Sequence, residues 1–373
     1  MEYWTEVENE VGDSPSTLRV TLPEIYLHEA EKRIPDIRSA MNSYMESGAL
    51  VPGVRDGFVL VDRVTTCGHR LGLLGMIDLE QYDYTPGANC LVRPTEGTIP
   101  ERVPPRARIR SGAPLELPHV MMLIDDRKGA VIESLYAQKE GLRRLYDFDL
   151  MQGGGHITGY AVEGESAESA VQALTVLHDA CGGLMYAVGD GNHSLAAAKR
   201  CWEEIRANLA DGAESEHPAR YAMVELVNIH CPALVFEPIH RVVKGAEGKA
   251  LIAEYERFLA ENGVKWRQGE DVRVLCGDTE ARYGFDAYPL GDLQNFLSAY
   301  AESHAGVEVD YIHGEDELRA LVKNGFTGFV LSSINKSELL PYVRDRGVLP
   351  RKAFSMGEAR DKRYYMEARR LTQ

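Results

Sequence analysis

Apolar positions change their period along this chain, and each change marks an element. From Pro23 to Met45 the residues Ile25, Ala30, Ile34, Ile37, Met41 and Tyr44 recur at helical spacing, which predicts an amphipathic helix interrupted near Pro35. GFVLVDRV and LGLLGMIDLEQYDY predict strands, HVMMLIDD a buried strand, GAVIESLYAQ a helix, and GGGHITGYAVEG a loop entering a strand. Between them, the stretch from Asn89 to Pro118 carries six prolines from Pro94 onward, and this predicts a long ordered loop rather than a helix or a central strand.

A helix over SAESAVQALTVLHDACGG follows, with Ser166 as its expected cap and Gly182-Gly183 ending it. A strand from Leu184 to Val188, a polar turn and a helix from Ser194 to about Leu209 come next. Beyond residue 232 helical and extended segments alternate to the tail, as in KALIAEYERFLAENG, VRVLCG, LGDLQNFLSAYAES, VEVDYIHG, EDELRALVKNG and TGFVLSSI. The class is α/β or α+β, in two lobes of residues 1–232 and 233–373.

Composition narrows the function classes. The 373 residues are 44% hydrophobic and 26% charged, with no apolar run of membrane length. Fifty-seven acidic against 41 basic residues give a net charge of −16, which argues against nucleic acid as the main partner. The acidic N-terminus lacks the basic-then-apolar order of a secretory signal, so the expected location is the cytoplasm. Six cysteines without zinc-type spacing are expected to be reduced and mostly buried. RVPPRARIR is the densest basic patch, read equally as a solvated loop or as an anion site.

Candidate chemistry concentrates in YAVGDGNHSLAAAKR, residues 186–200, where a strand hands over to a helix. The first N–H groups of a helix lack intrahelical partners and carry the positive end of its dipole, so this turn suits a small anion. Gly189 and Gly191 permit the turn, and Asn192, His193 and Ser194 offer side-chain donors. Asp190 has three readings: orienting His193, coordinating magnesium, or accepting a proton. An Asx-turn with Asn192 is an equally weighted structural alternative. The segment matches neither a Walker A loop nor a dinucleotide fingerprint.

The same segment resembles the DGHHR-type motif of the domain of unknown function 1015 family, which is described as similar to free-serine kinase and to the ParB and sulfiredoxin fold. VRPTEGT resembles the family's HExT element through Glu96 and Thr98, FEPIHRVV its PxHR element through Pro238, His240 and Arg241, and GVLPRKAFSM its MPxKST element through Pro350 and Lys352. The chain departs from the pattern at Asn192 for the first histidine, Ser194 for the arginine, Thr95 for the histidine of HExT, and Ala353 for the serine of MPxKST.

The resemblance implies a ParB/sulfiredoxin-like nucleotide lobe with a second α/β lobe, ATP or ADP on Gly189, Gly191, Asn192 and Ser194, and Mg2+ at Asp190. Glu96, Asp190 and His193 are the implied catalytic residues. Thr98, Arg102, His240, Arg241 and Lys352 complete the implied cofactor site, with the basic residues lining one cleft with Glu96 and replacing the charge that Ser194 lacks. The expected activity is phosphoryl transfer between a nucleotide and a small hydroxyl compound, with free serine as first guess. Two alternatives are a non-catalytic nucleotide-binding regulator and a small-molecule phosphate-ester hydrolase. The expected partner is a small-molecule substrate, with neither nucleic acid nor membrane, and a homo-oligomer is compatible with the sequence.

Overall fold

Two of the extended runs pair as one hairpin, Phe58–Thr65 against Gly68–Asp78, antiparallel from Val59 opposite Leu74 to Thr65 opposite Gly68. A computed structural model describes residues 2–117, 120–210, 212–356 and 366–372; Pro118, the end of the expected proline loop, and His119, the start of HVMMLIDD, lie outside them. Around the hairpin grows an eight-stranded sheet. Its order is Val92–Pro94, Tyr186–Asp190, Met121–Ile124, Tyr221–Asn228, Gly68–Asp78, Phe58–Thr65, His156–Val162, Arg143–Asp149. Val92–Pro94 runs parallel to Tyr186–Asp190, and Met121–Ile124 parallel to Tyr221–Asn228; the other pairings are antiparallel. The architecture is mixed α/β.

Alternation along these strands builds two apolar faces. Leu60, Leu73, Met122, Val188 and Val224 share one core with Leu195, Ala198 and Trp202 of the helix Asn192–Arg206, while Val61, Leu74, Ile157 and Met223 form a second cluster. Leu195 and Trp202 are fully buried. Each such side chain contributes about 1.5–3 kcal/mol, which exceeds the ~1 kcal/mol entropic penalty of a glycine at the turn that starts this helix.

Two proline expectations fail for local reasons. Within the stretch expected to be a loop, Val103–Arg110 is a helix with prolines in its first turn, where the missing N–H has no intrahelical partner to lose. That helix packs Val103 and Ala107 against Ala196, Ala197 and Cys201, whose small side chains permit close approach. Nor does Pro35 interrupt its helix, which runs through it from Ala30 to Ser47. Burial of Ile37 and Met41 beside Val20, Leu115 and Leu117 offsets the roughly 3 kcal/mol cost of an internal proline. The helix Glu165–Ala180 starts from Gly164 at φ 56°, not from the expected cap at Ser166.

The first unit runs to Leu234 and also takes Val343–Asp345 and the C-terminal stretch; the second comprises Val235–Tyr342 and Arg346–Met356. The tail was expected to belong wholly to the second lobe. It returns because Arg369–Arg370 pairs with Leu115–Glu116, and the Arg369 guanidinium donates to Glu116 and to the carbonyls of Pro218 and Tyr221. The second unit's sheet has the order Thr279–Phe285, Trp266–Cys276, Thr327–Leu331, Phe236–Lys244, Glu308–His313. Val242, Leu275, Leu318, Val322 and Val330 form a core there, and Tyr255 meets Tyr283 and Phe329 edge-on.

Candidate functional site

The strand Tyr186–Asp190 passes through a single residue into the helix Asn192–Arg206. That residue, Gly191, is the N-cap at φ 82° and ψ 16°, a left-handed conformation that a side chain would strain. Its carbonyl accepts from the N–H groups of Ser194 and Leu195, and it supplies no capping side chain to compete with an anion at the helix mouth. Asp190 Oδ1 accepts from the Gly191 N–H at 2.9 Å, which fixes the carboxylate at the entrance to the turn.

A strap from Thr95 to Ile99 closes over this turn. Thr95, at the histidine position of HExT, donates its hydroxyl to the Val188 carbonyl at 2.8 Å. The Asn192 amide donates to the Glu96 carbonyl and to Thr98 Oγ1, both at 3.0 Å, while its oxygen accepts from the Tyr82 hydroxyl at 3.2 Å. His193 Nε2 accepts from the Ile99 N–H at 3.1 Å, so its neutral tautomer carries the proton on Nδ1. Asn192, His193 and Thr98 thus hold strap and turn together; Tyr82, which the sequence did not single out, is the anchor behind them.

Replacing Asn192 by alanine tests that clamp. Asn192→Ala takes from the Tyr82 hydroxyl, only 1% exposed as a residue, the acceptor it donates to, leaving it Thr98 as a partner, and takes from the Glu96 carbonyl its Asn192 donor. An expected loss of about 1–3 kcal/mol, read by urea denaturation, follows from the cost of an unsatisfied buried group.

Strap and turn enclose a cavity of about 310 Å³. Glu96, Gly189, Asp190, Gly191, Asn192, His193 and Ser194 line it together, so the glutamate and the turn face one space. Arg102 and Arg106 line it too, along with Glu24. Arg106 donates to Glu24 Oε1 at 2.9 Å and to the Arg102 carbonyl at 3.0 Å. Arg102, just before the proline-started helix, and Arg106 within it thus bring guanidinium groups to the cavity, Arg106 as an ion pair with Glu24. The basic patch RVPPRARIR carried that signal; nothing local in the sequence marked Glu24.

His240, Arg241 and Lys352 belong to the second unit. Arg241 is 0% exposed, and its guanidinium donates to Gln294 Oε1 and to the carbonyls of Ile239, Lys352 and Arg351. Such a group holds strand to strand-end and is closed to a ligand in this conformation. Lys352 is exposed, with φ 54° and its ammonium 4.6 Å from the Tyr311 ring centre.

His240 is buried, and Nδ1 accepts from the Leu331 N–H at 3.2 Å. Burial holds its imidazole below the ordinary value of 6.5. The unfolded chain then takes up a proton near pH 6.5 while the folded chain does not, so stability falls as pH drops from there toward the depressed folded value. His240→Gln is expected to flatten that slope, measured as the difference between urea midpoints at pH 7.5 and 5.5 in the two proteins.

Among the described residues no group of three or more His, Cys, Asp or Glu side chains could hold a metal ion by itself. Nor does any helix there have the length and apolarity to cross a membrane. The six cysteines are unbridged, with Cys201 and Cys231 buried and Cys67 exposed.

A family model described as "Protein of unknown function (DUF1015)" matches residues 1–313. No curated protein matches the chain. Among solved structures, a free serine kinase in complex with AMP aligns at TM-score 0.39 and 12% identity, covering 76% of this chain and 87% of that one. SbnI with a C-terminal truncation, from Staphylococcus aureus, aligns at TM-score 0.38 and 11% identity, covering 77% and 83%. A conserved hypothetical protein from Pyrococcus furiosus aligns at TM-score 0.37 and 10% identity, covering 77% and 91%.

Proposed function

We propose that this chain, which belongs to the DUF1015 family, is a phosphotransferase that moves a phosphoryl group from a nucleotide to a small hydroxyl compound, free serine being the first candidate. One observation carries the reading: a helix-mouth turn, Arg102, Arg106 and three acidic residues, Glu24, Glu96 and Asp190, line a single cavity. Phosphoryl transfer asks mainly for positioning and charge stabilisation, and these groups supply both. Backbone N–H groups of the turn, with Arg102 and Arg106, take the donor phosphates; the Ser194 hydroxyl adds a neutral donor. Glu96 takes the proton of the acceptor hydroxyl as its oxygen forms a bond to phosphorus and the bond to the departing nucleotide breaks.

Magnesium fits this donor set. It is commonly held by one or two carboxylates plus substrate phosphates rather than by a protein cage, and Asp190 at the turn offers such a ligand. When bound it would neutralise charge on the phosphates. His193 acts as a positioning residue, because its Nε2 is engaged by Ile99.

The rival reading, a regulator that binds nucleotide without turnover, is favoured by serine at position 194, which lacks the two parallel bonds of arginine. Incubating the protein with ATP or ADP, magnesium and serine, and weighing the products by mass spectrometry, separates the two. Phosphoserine and the shortened nucleotide are the expected products. Nucleotide binding without any transfer to serine or to other small hydroxyl compounds favours the regulator, and phosphate released to water alone favours a hydrolase.

A further inference from the structure

A second cavity of about 420 Å³ adjoins the first, and Glu24, Arg106, Asp190, Gly191 and Ser194 line both. The two differ in chemistry. Glu96 and Arg102 line only the smaller one, whereas Trp4, Val7, Leu18, Leu22 and Met41 give the larger one an apolar wall, and the Glu24–Arg106 ion pair stands where the two meet. Several polar groups around the larger chamber are already hydrogen-bonded within the protein. Glu116 accepts from Arg110, Arg369 and the Met223 N–H; the Thr21 hydroxyl donates to the Thr17 carbonyl; Ser16 Oγ accepts from the Leu18 N–H. Tyr3 and Trp4 stand edge to face, with ring centres 5.3 Å apart.

We infer that the larger chamber takes the base and sugar of the nucleotide, an inference that rests on the phosphotransferase reading above. A nucleotide whose phosphates lie on the turn must continue across an edge shared with the cradle, and Asp190, Gly191 and Ser194 form such an edge. Its flat, weakly polar base suits an apolar wall with aromatic rings, in a volume within the ordinary range for small-molecule pockets. The charged chamber then receives the donor phosphates on the turn and its arginines, with the acceptor hydroxyl entering beside Glu96, so base and acceptor lie on different sides of the phosphates. Leu18 and Trp4 then become determinants of nucleotide affinity, although neither reaches the phosphates.

Filling the chamber tests this. In Leu18→Trp the full-length protein is titrated calorimetrically with ADP and, separately, with inorganic tripolyphosphate, which engages the cradle without a base. The expected result is at least a tenfold loss for ADP and less than a twofold change for tripolyphosphate. If Leu18→Trp does not fold by circular dichroism, the test moves to fluorescence. ADP should quench the emission lost in Trp4→Phe, and tripolyphosphate should not. Wild-type binding of both ligands with ADP unaffected by Leu18→Trp, or with no Trp4 quenching in the fluorescence version, overturns the inference and leaves the phosphotransferase reading standing. Equal losses of ADP and tripolyphosphate in the filled variant overturn it as well, by showing that the substitution damages the cradle. Absence of binding by either ligand to the wild-type chain removes both readings.

Discussion

Glu96→Gln is expected to slow phosphoryl transfer by about 10²–10⁴-fold, the usual contribution of a positioned acid or base, while leaving ADP affinity nearly unchanged. The asymmetry follows from the geometry. The strap is tied to the turn through the Glu96 carbonyl, which accepts from Asn192. Glutamine therefore keeps the tether, the approximate volume and the polarity while removing the proton acceptor. Single-turnover rates and calorimetric affinities measured on the same preparation read the two effects separately. A rate within threefold of wild type would take Glu96 out of the chemistry, and a parallel loss of rate and affinity would make it a structural member of the strap.

Arg241→Met is expected to cost about 2–4 kcal/mol of stability. Methionine fills much of the volume but takes this donor from the buried Ile239 carbonyl, from the part-buried carbonyls of Arg351 and Lys352, and from Gln294 Oε1. Each unsatisfied buried group costs about 1–3 kcal/mol, and part of that returns through local relaxation. Lys352→Met removes an exposed ammonium and is expected to stay within about 0.5 kcal/mol. Urea denaturation of both variants checks the contrast. A loss under 1 kcal/mol for Arg241→Met would mean that the carbonyls find water or other donors, and the guanidinium would again be a candidate for ligand contact.

What the sequence revealed of the site was its local part. Gly191 with its positive φ, Asp190 before it and the alanine-rich helix after it lie within one short segment, and short-range rules read them. The contribution of Glu96 to the same cavity came from motif resemblance, since no local pattern links residues on separate elements. Tyr82, Glu24 and Arg106 reach the site through packing. Tyr82 contacts Asn192 across the fold, and Glu24 and Arg106 meet each other from separate helical segments. Composition misled at the prolines for a physical reason. A proline count ignores where in a helix each ring falls, and the start of Val103–Arg110 tolerates what its middle would not. Motif resemblance and a basic run likewise could not distinguish Arg241, buried under four acceptors, from Arg102 at the cavity.

Everything proposed for the chemistry depends on phosphate sitting at the turn, and Ser194→Glu addresses that point. A glutamate in the first turn of a helix is favourable to folding through the helix dipole, so the variant should fold. Its carboxylate would project at the edge shared by both chambers and repel a bound phosphate. Thermal melting with ADP and magnesium is the measurement. At about a hundred times its dissociation constant, the ligand should stabilise the wild-type protein by roughly 2.7 kcal/mol. The account predicts a clear upward shift for wild type and none for Ser194→Glu; equal shifts in the two proteins, or no shift in either, would contradict it.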